Sequence, residues 1–508
     1  MERKKNTLRN MIWGLINKII TVFLPFISRT MLIKILGTEF LGLNSLFTSV
    51  LQVLNITELG ISSAITFCMY KPIAEKDTNT ICALLNFYKK TYKIIGFIVL
   101  TLGLAIMPFL KYFINGDIPS TVNIYILYLI YLFNTILSYF LFTYKSSLLI
   151  ALQRNDIVSN INSILTIVQF VIQMILLIIF KNYYIFIIIL PFITFINNLT
   201  CTIIANRKYP NYTCKGKINK EFKKNIKNKV LGLLIYKICA ITRNPFDSIF
   251  ISAFLGLNVL AIYNNYYLIL SSVTTFLSII TTSMAAAVGN SIAVESVNKN
   301  YNDMNKFNFI YMWISGWCAI CMLCLYQPFM KLWLGNNFLL PFSSVILFCI
   351  YFYFLQIGVF RATYEDAVGL WWETKYRAVI ESALNLVLNF ILGKIWGLNG
   401  IIIATLISLS IVDLGYGSTI IFKYYFKNKK TMNYFLIHLK YLFTTIIIAI
   451  ITFKITSFIH FNGFKELCIK TIICIIIPNI LYTIAYIKNK YLSDFLNIIN
   501  EILKNNKN

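Results

Sequence analysis

The sequence predicts an all-α integral membrane protein of about 14 transmembrane helices, built as two six-helix lobes related by an internal repeat plus two C-terminal helices. Three observations predict it. Of the 508 residues, 58% are hydrophobic and 13% charged, which would leave a soluble domain with more apolar surface than one core can bury. Fourteen apolar stretches are long enough to cross hydrocarbon about 30 Å thick, which takes about 20 residues. Finally, Leu36-Gly37-Thr38-Glu39-Phe40-Leu41-Gly42-Leu43 returns in weaker form as Leu255-Gly256-Leu257-Asn258-Val259-Leu260-Ala261-Ile262, 219 positions downstream. Ile73-Ala74 matches Ile292-Ala293 at the same offset, and the polar corner from Tyr144 to Asp156 matches Tyr364 to Tyr376 at 220. Repeats of this size in a polytopic chain point to two lobes with a substrate path between them.

The first six spans, at about 12–34, 42–70, 94–113, 122–143, 157–180 and 183–205, form an N-lobe over residues 1–205. Arg3, Lys4, Lys5 and Arg9 precede the first of them as in a secretory signal, but the apolar run is too long and no small-residue cleavage site follows. It reads as an uncleaved span. Residues 206–229 carry nine basic side chains and read as a solvated cytoplasmic linker beside anionic lipid. The next six spans, at about 230–254, 259–292, 308–332, 341–360, 376–396 and 398–422, form a C-lobe over 230–424. Spans at 434–459 and 466–487 lie outside the duplication and, with a cytoplasmic tail, complete 425–508.

Forty-six Lys and Arg against 19 Asp and Glu give a net charge of +27, but position carries more information than the total. The basic residues cluster at Arg3 to Arg9, Lys71 to Lys93, Arg207 to Lys229, Lys423 to Lys430 and Lys488 to Lys507, all on one side if the spans alternate. The other side holds few, such as Lys111, Lys181, Lys331 and Lys394. The positive-inside rule then places both termini in the cytoplasm, as an even number of spans requires. The partner of this charge is the bilayer and not nucleic acid.

The sequence argues against several activities, a membrane glycosyltransferase or polymerase being the less favoured alternative. There is no Gly-x-x-x-x-Gly-Lys-Ser/Thr run to cradle a nucleotide. The outward loops are too short to hold the outer domain on which a sugar-joining membrane polymerase or glycosyltransferase depends. Cys318-x-x-Cys321-x-x-Cys324 has the spacing of an iron–sulfur ligand run, but it sits mid-span between Trp313 and Tyr326 and reads as small apolar packing. With His438 and His460 the only histidines, no metal site is expected. The expectation is a transporter, not an enzyme, with no cofactor beyond coupling to protons or sodium ions.

Charged side chains inside spans cost roughly 2.5–3.5 kcal/mol each on insertion scales, so they mark cavities or partners. Arg29 lies well past the middle of the first span, with Pro25 one turn earlier breaking the helix, while Lys18 and Lys34 snorkel to the two interfaces. Glu58 stands near the centre of the second span, either functional or in a structural ion pair with Arg29 or another base. The seventh span brings Lys237, Arg243 and Asp247, with Pro245 between the last two. Discontinuous helices at equivalent repeat positions mark binding sites. Glu381 and Asp413 are further intramembrane acids. Arg361, Glu365 and Asp366 read as a structural cytoplasmic corner after the tenth span.

Taken together, Arg29, the Leu36 to Leu43 stretch and Glu58-Leu59-Gly60-Ile61-Ser62-Ser63-Ala64-Ile65 resemble the Wzx-type polysaccharide flippases of the multidrug/oligosaccharidyl-lipid/polysaccharide exporter superfamily. Asp247 with Ile249-Phe250-Ile251-Ser252 looks like that family's seventh-span motif, and Gly397-Leu398-Asn399-Gly400 like its twelfth-span entry. The resemblance covers essentially the whole chain. It implies a bacterial inner-membrane flippase for polyprenyl-pyrophosphate-linked oligosaccharide repeat units, serving O-antigen or capsule synthesis, with a polysaccharide polymerase as a further partner. Arg29, Lys237 and Arg243 are then the candidate ligands of the pyrophosphate. Glu58 and Asp247 are the candidates for ion coupling or a cavity ion pair. A small-cation exporter of the same superfamily calls for a net acidic cavity, which these residues do not make; a lipid II flippase is the closer rival.

Overall fold

The computed structural model describes residues 2–55, 65–66, 68–116, 118–141, 143–218, 243–461 and 463–493. Every regular element among them is helical, as the composition predicts. Ten described helices are long and apolar enough to cross a membrane, eleven if the bent pair Ile124–Phe140 and Tyr144–Ala151 counts as one span. The expected count of fourteen is not reached among the described residues, because the spans expected at 42–70 and 230–254 run outside them.

The helical run Trp371–Tyr424 counts once although it holds two expected spans. Its 54 residues would stretch about 80 Å as one straight helix, far beyond a bilayer core. Gly397 resolves this by leaving helical geometry at φ 57° and ψ −132°. Beyond it the chain doubles back so closely that a Cβ on Gly400 would overlap the Leu392 carbonyl oxygen, while Gly393 lies against Ile401. Only a residue without a side chain fits such a backbone crossing.

The duplicated glycines have the same structural meaning in both copies. Gly37 at φ 108° ends the helix Glu2–Leu36 before Thr38–Leu54 begins, and Gly256 at φ 90° separates the helix over 243–255 from Leu257–Val294. Both lie in a backbone region that side chains disfavour. By contrast, the helix Glu2–Leu36 runs through Pro25 without interruption, so the break expected there is absent. The ring removes one backbone donor, the one that would have met the Thr21 carbonyl.

Two compact units are distinguishable. One comprises 1–264 with 378–401, the other 265–377 with 402–508. In the first, Glu2–Leu36 packs along Asn155–Phe180, where Asn17 Nδ2 donates to Ser163 Oγ at 3.1 Å. Asp77 caps the helix Thr78–Ile106 by accepting from the Thr80 amide at 3.0 Å and from its hydroxyl, and these two donors hold the Asp77 carboxyl below its ordinary pKa. The opening of the basic linker is tied down: Lys145 Nζ donates to the Tyr212 carbonyl and Asn86 Nδ2 to that of Gly216, each at 2.8 Å. Its own basic side chains, Lys215 and Lys217, stay exposed.

In the second unit, Val297–Leu334 packs against Phe342–Val368 and both C-terminal helices, Thr431–Ser457 and Phe464–Tyr486. Gly316 leaves room for the Tyr482 hydroxyl and Thr445. Trp313 Nε1 donates to Asn479 Oδ1 at 2.9 Å, and Trp317 Nε1 to the Cys474 carbonyl at 2.8 Å. Each half-buried indole thus has its single donor satisfied.

Candidate functional site

In the first unit, two helix segments present polar residues four apart, a spacing that lines one face of a helix. The helix over 243–255 presents Arg243 and Asp247, and residues 378–396 present Glu381, Asn385 and Asn389. The two faces meet as a polar seam. Arg243 pairs with Glu381. Asp247, 1% exposed, accepts from Asn389 Nδ2 at 2.7 Å and from the Tyr263 hydroxyl at 3.3 Å. Asn385 Oδ1 in turn accepts from Asn389 at 3.3 Å. Neutral amide and phenol donors are what keeps a carboxylate tolerable in a bundle interior.

Arg29 belongs to the same unit. It is half-buried, and its Nη1 donates to the Asn264 carbonyl at 2.7 Å. A guanidinium carries five donors in a planar fork suited to phosphate oxygens. In the same unit, Ser248 Oγ, Ser252 Oγ, Asn264 Nδ2 and Asn389 Oδ1 are buried and make no hydrogen bond among the described residues. Buried polar atoms of that kind are rare and cost free energy, and here they share one unit with Arg29, Arg243 and Asp247. Such an arrangement offers cations and hydroxyl and amide groups together, the chemistry that suits a phosphate and sugar hydroxyls.

Of the residues singled out by sequence, the structure gathers Arg29, Arg243 and Asp247 into one compact unit. Glu58 and Lys237 lie outside the described residues. The partnership of Arg243 with Glu381, and of Asp247 with Asn389, is not readable from the sequence, although the four-residue spacing of Glu381, Asn385 and Asn389 announces a polar helix face.

The second unit contains a buried ionic cluster. Arg361 and Glu365, expected as a structural corner after the tenth span, are 1% and 2% exposed and lie in the helix Phe342–Val368, which runs past the expected span end. Arg361 Nε meets Glu365 Oε1 at 2.7 Å, its Nη2 meets Asp413 Oδ1 at 2.6 Å, and Arg377 pairs with the same carboxylate. Asp413 sits in a π-helical turn, Leu409–Tyr416, a local widening of the kind found where a helix presents special side chains. Glycines make the space: a Cβ on Gly358 would overlap Asp413, and one on Gly417 would lie 2.7 Å from the Arg361 guanidinium. Nearby, Asn308 Nδ2 and His438 Nε2 are 3.2 Å apart in the buried interior.

A profile described as polysaccharide biosynthesis protein matches residues 7–288. No curated protein matches the sequence. The structure is similar to that of the lipid II flippase MurJ in an inward closed conformation, at 16% identity and a TM-score of 0.66, covering 94% of this chain and 99% of that one. It is also similar to an inward-facing MATE family multidrug transporter of the MOP superfamily, at 13% identity and a TM-score of 0.57, over 77% and 91% of the two chains. A Vibrio cholerae MATE transporter matches at 14% identity and a TM-score of 0.55, over 84% and 98%. At such identities the likeness is one of fold, and the fold is that of multi-pass membrane transporters. With more than half of its length matched by the profile, the chain belongs to the polysaccharide biosynthesis protein family.

Proposed function

We propose that the protein is a flippase that moves polyprenyl-pyrophosphate-linked oligosaccharide repeat units from the cytoplasmic to the outer leaflet of a bacterial inner membrane, for polymerisation into O-antigen or capsule. The family membership supports this reading most directly, because its match over residues 7–288 takes in the first seven expected spans and most of the eighth, Arg29 and Arg243 included. Arg29 supplies the charge for the pyrophosphate, with Arg243 and Lys237 as further ligands. The lipid tail stays in the bilayer while the headgroup crosses by alternating access. Asp247 or Glu58 takes up the coupling proton or sodium ion. Both termini are cytoplasmic, no cofactor takes part, no covalent chemistry is done, and a polymerase receives the product.

Arg29→Ala is the direct test. A charge-assisted hydrogen bond contributes about 1.5–3 kcal/mol, so export should slow roughly 10- to 100-fold while membrane insertion is unchanged. Lipid-linked repeat units should then accumulate on the cytoplasmic leaflet, measured by leaflet-selective labelling of extracted lipids. Normal surface polysaccharide in the variant would remove Arg29 from the site, and accumulation of lipid II instead would assign the rival substrate.

A further inference from the structure

The C-terminal helices that lie outside the duplication help to line a charged cavity. A cavity of about 510 Å³ opens where Val297–Leu334 ends, Phe342–Val368 begins, Thr431–Ser457 ends and Phe464–Tyr486 begins, all within the second unit. Two lysines and one glutamate line it: Lys331, Lys470 and Glu466. Lys470 is only 12% exposed and holds Glu466, 22% exposed, at 2.5 Å. A lysine six residues inside an apolar helix is costly in lipid and implies a task. Lys331 has no acid within ion-pairing distance among the described residues, which leaves the cavity with a surplus positive charge.

The backbone adds to that field. The helices beginning at Phe342 and Phe464 both start at this cavity, and their N-caps, Pro341 and Gly463, provide no side-chain acceptor. Their first amide groups and dipoles therefore favour an anion. Gln327, Thr456 and Ser457 share the lining with an aromatic side on which Phe342 and Phe453 stack with centroids 5.0 Å apart, and Phe461, 52% exposed, also lines the cavity. Lysines, polar side chains and aromatic rings lining one cavity fit an amphiphile better than a free ion.

We propose that this cavity binds the phosphate of an anionic membrane lipid, whose chains lie along the aromatic side toward the bilayer. The inference does not depend on what the protein transports. Purified full-length protein, delipidated in a mild detergent, can be titrated with short-chain phosphatidylglycerol and the bound lipid counted by native mass spectrometry. Parallel arms contain phosphatidylcholine or inorganic phosphate. The expected result is one tightly held phosphatidylglycerol, not displaced by inorganic phosphate and not matched by phosphatidylcholine.

Lys331→Glu, at an exposed position, should weaken that binding at least roughly fivefold, about the worth of one basic residue at a lipid surface. Glu466→Gln should strengthen it by a similar factor, because it removes the competing carboxylate from Lys470. Unchanged affinity in both variants would overturn the proposal. Displacement by inorganic phosphate would assign a free anion instead of a lipid, and equal binding of phosphatidylcholine would leave no role for the charges.

Discussion

Asp413→Ala is expected to cost the protein about 3–5 kcal/mol of stability, the usual penalty for breaking a buried ion pair by removing one partner. The carboxylate serves two guanidiniums, those of Arg361 and Arg377, and Glu365, bonded to Arg361, cannot compensate both. The variant should lose its monodisperse peak roughly 10 °C below the parent when heated samples are followed by size exclusion, given the scale of about 2–4 °C per kcal/mol for a unit of this size. Replacing the cluster as a whole, with Arg361→Met, Arg377→Met, Glu365→Leu and Asp413→Leu, should recover most of the loss, since buried ionic groups exchanged for apolar ones of similar volume are often neutral or better. Recovery would show that the charges balance each other without stabilising the fold. A single variant as stable as the parent would mean that solvent reaches the cluster.

The buried cluster also shows where sequence reasoning stops. Hydropathy ends a span at the first charges, so the tenth span was expected to finish near 360, and Arg361 with Glu365 became a corner. The helix in fact continues to Val368, because their charges are met by Asp413 and Arg377, groups about 50 and 16 positions away that no local window relates to them. Arg243 and Asp247 pose the same problem. Their four-residue spacing suggests a pair within one helix, yet Arg243 turns to Glu381 on a facing segment. Periodicity reveals which side of a helix is polar, but not which other helix that side meets.

Glycines were legible because their constraint is local. The repeated Leu-Gly at 36–37 and 255–256 marks two helix breaks at positive φ, and Gly397 and Gly400 mark the reversal between two spans. Fold class and span order follow from solvent and chain length, which act on every residue in the same way. The polar seam depends on tertiary pairing, and Glu58 and Lys237, both chosen on the cost of charge in lipid, lie beyond the described residues.

Gly42→Val is expected to disrupt the place where the two sequence copies touch. A Cβ at Gly42 would overlap the carbonyl group of Leu257, just past the Gly256 break. Around that point, the Thr38 hydroxyl donates to Asn258 Oδ1. Asn115 donates from its backbone to the Ser252 carbonyl at 3.0 Å and from Nδ2 to the Phe254 carbonyl at 2.6 Å, thereby satisfying acceptors that the end of a helix leaves over. Because the obstacle is backbone, it cannot rotate aside, and the strain should reach the upper part of the usual overpacking range, about 1–3 kcal/mol or more. If this joint separates during alternating access, that strain shifts the equilibrium toward the separated state by one to two orders of magnitude, at about 1.4 kcal/mol per tenfold. A thiol introduced by Thr38→Cys should then react correspondingly faster with a membrane-impermeant maleimide in the Gly42→Val background. A lower melting temperature with unchanged labelling would make the joint a fixed part of the fold, whereas faster labelling at unchanged stability would identify it as a moving one.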